Sequence, residues 1–171
     1  MTCFPEAFGR NIQPGRCVMI SSKLVHLIES NSDLIIDRVI ARIHDDPTTT
    51  GPRTLMDFEM RELAQDFLLH LGHWLTGGDE DELKHRAERL GASCFGRDTP
   101  LHRAVRALCL LREKMLDFAE EHMLSFSSIE LYSEGQLNRR MGHFFDLLTI
   151  HLVLGYERAL RSAMSEYSVA R

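Results

Sequence analysis

Nine histidines and four cysteines are the residues of this 171-residue chain best suited to metal or nucleophilic chemistry. His70 and His73 stand three apart, at neighbouring positions on one helical turn. His143 and His151 stand eight apart, with Asp146 between them. A metal site could draw His70 and His73 from one helix and His151 from another. The spacing lends this little support. There is no His-Glu-x-x-His sequence. Glu82-Leu-Lys-His85 is the one Glu-x-x-His, half of what a di-iron bundle uses. Boundary histidines and no metal site are the expectation. Cys94 precedes His102 across a loop with no orienting acid implied by spacing, and no Gly-x-Ser-x-Gly elbow or phosphate loop occurs. No catalytic residue is assigned, and a metal-dependent hydrolase ranks last among the readings. Asp79 to Glu82 lacks calcium-loop spacing and reads as helix-start charge. Arg139-Arg140 and Arg158/Arg161 form small basic clusters, read as a solvated face or as contacts to an acidic protein partner.

Composition bounds what such residues can serve. Hydrophobic residues make up 44% and charged residues 26%, ordinary for a soluble globular domain. The net charge of −5 gives no reason to expect nucleic acid. The longest charge-free apolar stretch, Leu147 to Tyr156, is too short for the roughly 20 residues of a membrane span. No secretory leader pattern opens the chain, so a cytoplasmic protein is expected. Cys3, Cys17, Cys94 and Cys109 match no compact zinc pattern and read as reduced, structural thiols.

The elements that position these residues all read as helix. Residues 1–20, with two prolines and two glycines, read as an arm, and 21–171 as one domain. A first helix follows Ser22, with Leu24, Leu27, Ile28, Ile35, Val39 and Ile43 inward. Ser30 to Asp33 is placed to kink or split it, and Pro47 to Pro52 ends it. A second begins near Thr54 or Leu55 and carries Met56, Met60, Leu63, Phe67, Leu71 and Trp74 to a stop at Gly77-Gly78. A shorter helix buries Leu83, Ala87, Leu90 and Cys94. Thr99-Pro100 signals the next start, by a hydroxyl cap and proline at the first turn. That helix runs to about Met123, with Val105, Leu108, Leu111, Met115 and Phe118 inward. The last starts at Ser128 and passes through Leu137, Met141, Phe144, Leu148, Leu152, Tyr156, Leu160 and Met164. It would be roughly 60 Å long at 1.5 Å per residue if continuous, and Gly135 is where a bend or break is expected. The fold class is all-α: a bundle of five or six helices, globin-like without haem in one version, with a long C-terminal helix.

Three stretches carry a resemblance. Leu90-Gly91 through Gly96-Arg-Asp-Thr-Pro100 to Leu111-Arg112-Glu113 resembles the centre of the N-terminal domain of RsbRD-type RsbT co-antagonists. Leu137 to Asp146 with Gly155-Tyr156-Glu157-Arg158 is similar to that family's closing helix. Leu27 to Val39 is similar to its first. The resemblance covers about Lys23 to Ala163. It implies a bacterial sensory or regulatory input domain of the stressosome or sensor-kinase type, acting by protein contact, with a switch kinase or an output module as partner and no catalysis. No output module fits before Arg171. A homodimer through the long last helix is expected. Haem-binding globin sensors have a similar passage with the iron ligand just before the loop; Ser93 or Cys94 stands there. A haem or small-ligand sensor is the alternative, and no cofactor is the first expectation.

Overall fold

The computed structural model describes residues 22–49, 61–62, 64–122 and 128–169. The expected arm, the start of the second helix with Met56, Met60 and Leu63, and Cys3 and Cys17 lie outside them. Among the described residues every regular element is helical: α1 (Ser22–Ser30), α2 (Ser32–Asp45), α3 (64–69), α4 (Leu71–Leu75), α5 (Glu80–Gly96), α6 (Leu101–His122) and α7 (Ser128–Val169). None is long and apolar enough to cross a membrane. The all-α bundle with its long last helix is the expected fold class. Seven described helices exceed five or six because two of the expected helices are divided.

Asn31 makes the first division. Its backbone leaves helical geometry, and its side-chain amide donates to Leu27 O at 2.8 Å, satisfying a carbonyl that the break would orphan. His70 makes the second, between α3 and α4. α4 has five residues, too few to hold itself together in water. Distant side chains fix both of its ends. The Glu29 carboxylate of α1 accepts the Gly72 N–H at 2.8 Å, and Arg140 of α7 donates to the Leu75 carbonyl. Gly77 then takes a left-handed conformation (φ 108°), and Gly78 N–H donates back to His73 O at 2.9 Å, the predicted glycine stop.

α5 begins as the acidic run implies. Asp79 caps it by accepting from Asp81 N–H at 2.9 Å. It ends in the same bonded pattern as α4, with Asp98 in the left-handed place (φ 54°) and Thr99 N–H donating to Cys94 O at 2.9 Å. Thr99 N–H thus closes α5, and the Pro100 carbonyl takes the first bonds of α6, one residue later than the sequence suggests.

The core gathers Ile28, Ile35, Val39 and Ile43 with Phe67, Leu71, Leu108, Leu111, Met115, Phe118 and the Leu137–Leu152 part of α7. α5 and α7 form the most extensive pairing; α6 packs on α2 and α7, and α1 on α4 and α6. α7 is continuous through Gly135. Its expected stripe does not stay inward, however. Leu160 and Met164 are exposed. Successive steps of four residues turn roughly 400°, so the stripe drifts about 40° per step and leaves the core after Leu152.

One buried ion pair ties α2 to α6. Asp46, 4% exposed, accepts from Thr48 N–H and hydroxyl at 2.9 and 2.6 Å and from Arg106 Nε and Nη2 at 2.9 and 2.8 Å. The Thr48 hydrogen bonds and then Arg106 hold its pKa down to about 2, from 3.8. A lowered carboxyl pKa stabilises the fold above the unfolded value and loses that contribution as pH falls toward the folded one. Asp46→Asn is therefore expected to lower the melting temperature at pH 7, and its difference from wild type to shrink between pH 3.8 and about 2 in thermal melts.

Candidate functional site

Two glycines let α5 and α7 touch backbone to backbone. A Cβ added at Gly91 would overlap the Leu152 carbonyl and lie 2.7 Å from Tyr156 N; one at Gly155 would overlap the Glu88 carbonyl and lie 2.6 Å from Glu88 Cα. No other residue type fits either position without moving a helix. The buried face of α5 is Leu83, Ala87, Gly91 and Cys94, so Gly91 takes the inward place expected of Leu90, which is only partly buried.

The close approach assembles a polar cluster beside it. Glu88, 19% exposed in its side chain, accepts from His151 Nδ1 at 2.9 Å and from Arg158 Nη1. The His151 hydrogen bond, with the Arg158 charge behind it, keeps Glu88 below the usual carboxylate range against the opposing effect of burial. Both carboxylate oxygens are engaged, one by each side chain of α7, so Glu88 acts as a clamp across the two helices. Phe95 meets Tyr156 edge-on at 5.4 Å just beyond the glycines. An open groove of about 510 Å³ lies alongside, bordered by His85, Arg89, Arg158 and Ser162.

The sequence candidates are dispersed. His70 is exposed and its Nδ1 lies 3.0 Å from Asp66 O. His73 is exposed and stacks edge-on with Trp74 at 5.0 Å. His151 belongs to the Glu88 clamp. α4 meets α7 at Arg140, eleven residues before His151, or about 16 Å along the helix. Cys94 is buried in the core, while Cys109 on α6 is exposed. Among the described residues no three His, Cys, Asp or Glu side chains gather where a metal could sit. The arginines divide by role: Arg140 closes α4, Arg158 binds Glu88, Arg161 pairs with Glu157 one turn back at 2.7 Å, and Arg139 is exposed.

A second polar group holds the other end of α5. Arg86 bridges Asp66 and Glu82 (2.7 Å to the latter) and lies over the Trp74 ring at 5.5 Å. Between α4, α5 and α7 a cleft of about 250 Å³ is lined by Trp74, Leu75, Leu83, Phe144 and Leu147, with Arg140 and His143 on its walls.

Sequence reasoning singled out His151 and Arg158 but missed Glu88, their shared partner, and the packing role of Gly91 and Gly155. The available signal was two glycines interrupting otherwise good helical periodicity, where each costs roughly 1 kcal/mol relative to alanine. Comparison with protein families, with curated proteins and with solved structures gives no match.

Gly155→Ala is expected to destabilise the fold at or above the upper end of the roughly 1–3 kcal/mol typical of overpacking. Gly135→Ala, whose Cβ meets nothing, should be neutral or stabilise by up to about 1 kcal/mol. Denaturant titration of the two variants checks both. Glu88→Gln should lower stability at pH 7, with the loss fading as pH drops below 4.5, because the clamp's contribution is present above the unfolded carboxyl value and lost in acid.

Proposed function

We propose that this chain is a regulatory input domain of the kind its sequence resembles, the N-terminal domain of RsbRD-type RsbT co-antagonists, distantly globin-like, cytoplasmic and working in bacterial signalling by protein contact without catalysis. One observation carries the reading. α7 runs on for more than four turns past Leu152, its last described buried apolar side chain, with Leu160, Met164 and Tyr167 exposed there at 40%, 65% and 82%, and Ile150, just before Leu152, exposed at 54%. Large apolar side chains grouped on one helix suit a surface that another protein covers. A switch kinase or an output module is the partner class, and a homodimer the assembly. Arg139, exposed on the same helix, supplies charge for an acidic partner surface.

The cleft beside Trp74 supports a second reading, a small-ligand sensor. Its lining is mainly apolar, with Arg140, His143 and the Glu80 carboxylate, 3.6 Å from His143, at the polar edge, which suits a small apolar molecule with a polar end; at about 250 Å³ the cleft lies just below the usual range for ligand pockets.

Calorimetric titration with a purified switch kinase of the RsbT type tests the first reading. Saturable binding is expected, weakened several-fold by Arg139→Glu. No binding with both proteins at about 100 μM, well above the micromolar affinities of regulatory contacts, would contradict it.

A further inference from the structure

The exposed apolar residues of α7 are not scattered. Ile150, Val153, Glu157, Leu160, Met164 and Tyr167 follow one another at spacings of three, four, three, four and three. That is the a/d pattern of a coiled-coil seam, sustained over two and a half heptads. At 100° per residue the seam lies roughly 140° around α7 from the face that Leu137, Met141, Phe144, Leu148 and Leu152 bury in the core. It therefore points away from α5. Val153 and Glu157 are half-buried, and the four large apolar members are exposed.

We propose that a second copy of this chain covers the seam, with the two α7 helices antiparallel about a two-fold axis passing between Arg158 and Ala159. This deepens the reading of the chain as a protein-contact domain and rests on it. The axis sets Ile150 against Tyr167 of the second copy, Val153 against Met164, and Glu157 against Leu160, each pairing occurring twice. Every exposed apolar side chain of the seam then gains a partner.

Charge decides the orientation. Glu157 is the one acidic residue in the seam, already paired with Arg161 of its own helix at 2.7 Å. Antiparallel pairing brings Arg161 of the second copy beside it, so two carboxylates and two guanidiniums alternate at the centre. Parallel, in-register pairing would press the two Glu157 carboxylates against each other in the seam, a like-charge contact that selects against that arrangement. The patch is also of a kind that calls for a cover. Four large apolar side chains, each 40% exposed or more, share one stripe of a helix, and grouped apolar surface of this kind is usually functional.

Thiol cross-linking of the full chain reads both association and orientation. In a background with Cys3, Cys17 and Cys109 changed to serine, Val153→Cys and Met164→Cys are made separately. Mixed, the two variants are expected to form a disulfide-linked dimer under mild oxidation, whereas Met164→Cys alone is not. Sedimentation of the unmodified protein is expected to show a dimer, weakened about tenfold or more by Arg161→Glu and restored in the Glu157→Arg, Arg161→Glu double variant. A monomer at about 100 μM, or self-linking of Met164→Cys, overturns the proposal. A monomer that still binds the switch kinase removes the seam and the homodimer but leaves the reading as a protein-contact input domain; a dimer that does not bind it removes that reading and leaves the seam.

Discussion

The contact that the rest of this fold depends on is the meeting of two helix backbones at Gly91 and Gly155. Glycine is unfavourable inside a helix because it gives up the most conformational freedom on folding. Here the absence of two Cβ atoms lets α5 and α7 approach until each glycine meets the carbonyl of the other helix. That distance fixes what stands nearby. It lets one carboxylate on α5, Glu88, reach two side chains a helix turn or more apart on α7, His151 and Arg158. It also lets Phe95 meet Tyr156. A wider spacing would leave Glu88 partly buried without its donors, a costly arrangement for a charge.

Away from the crossing, the elements too short to hold themselves are fixed by long-range polar bonds. α4 is secured by Glu29 at one end and Arg140 at the other. The turn after α2 is secured by Asp46 and Arg106. Of the four arginines marked out for a partner, Arg140 and Arg158 are part of the fold, while Arg139 and Arg161 stay exposed. α7 is consequently a helix of two halves. Its first half supplies the core, and its last turns carry apolar side chains that are exposed.

Much of this architecture was legible in the sequence. Spacings of three and four placed the inward faces of α1, α2, α6 and the first half of α7, and Gly77 and Asp79 marked a stop and a start. Leu160 and Met164 show where periodicity misleads. Each follows its neighbour by four residues, yet the accumulated rotation carries them out of the core. The site was less legible because its logic is relational. His151 and Arg158 are visible as residue types, but that both answer to Glu88, 63 and 70 positions earlier, depends on a crossing that two glycines permit. Likewise Arg140 reads as a surface cation until the Leu75 carbonyl is placed beside it. His70, His73 and Cys94 have the right chemistry for ligands, but their helices carry them to separate places.

A double-mutant cycle on Gly91→Ala and Gly155→Ala tests the central claim most directly. Each added methyl forces the same two backbones apart, so the second should cost little once the first has opened the crossing. The account predicts a coupling of about 1 kcal/mol or more, the double variant being barely less stable than the worse single one. Two small, additive losses, within roughly 0.5 kcal/mol of their sum, would contradict a shared backbone contact at this position.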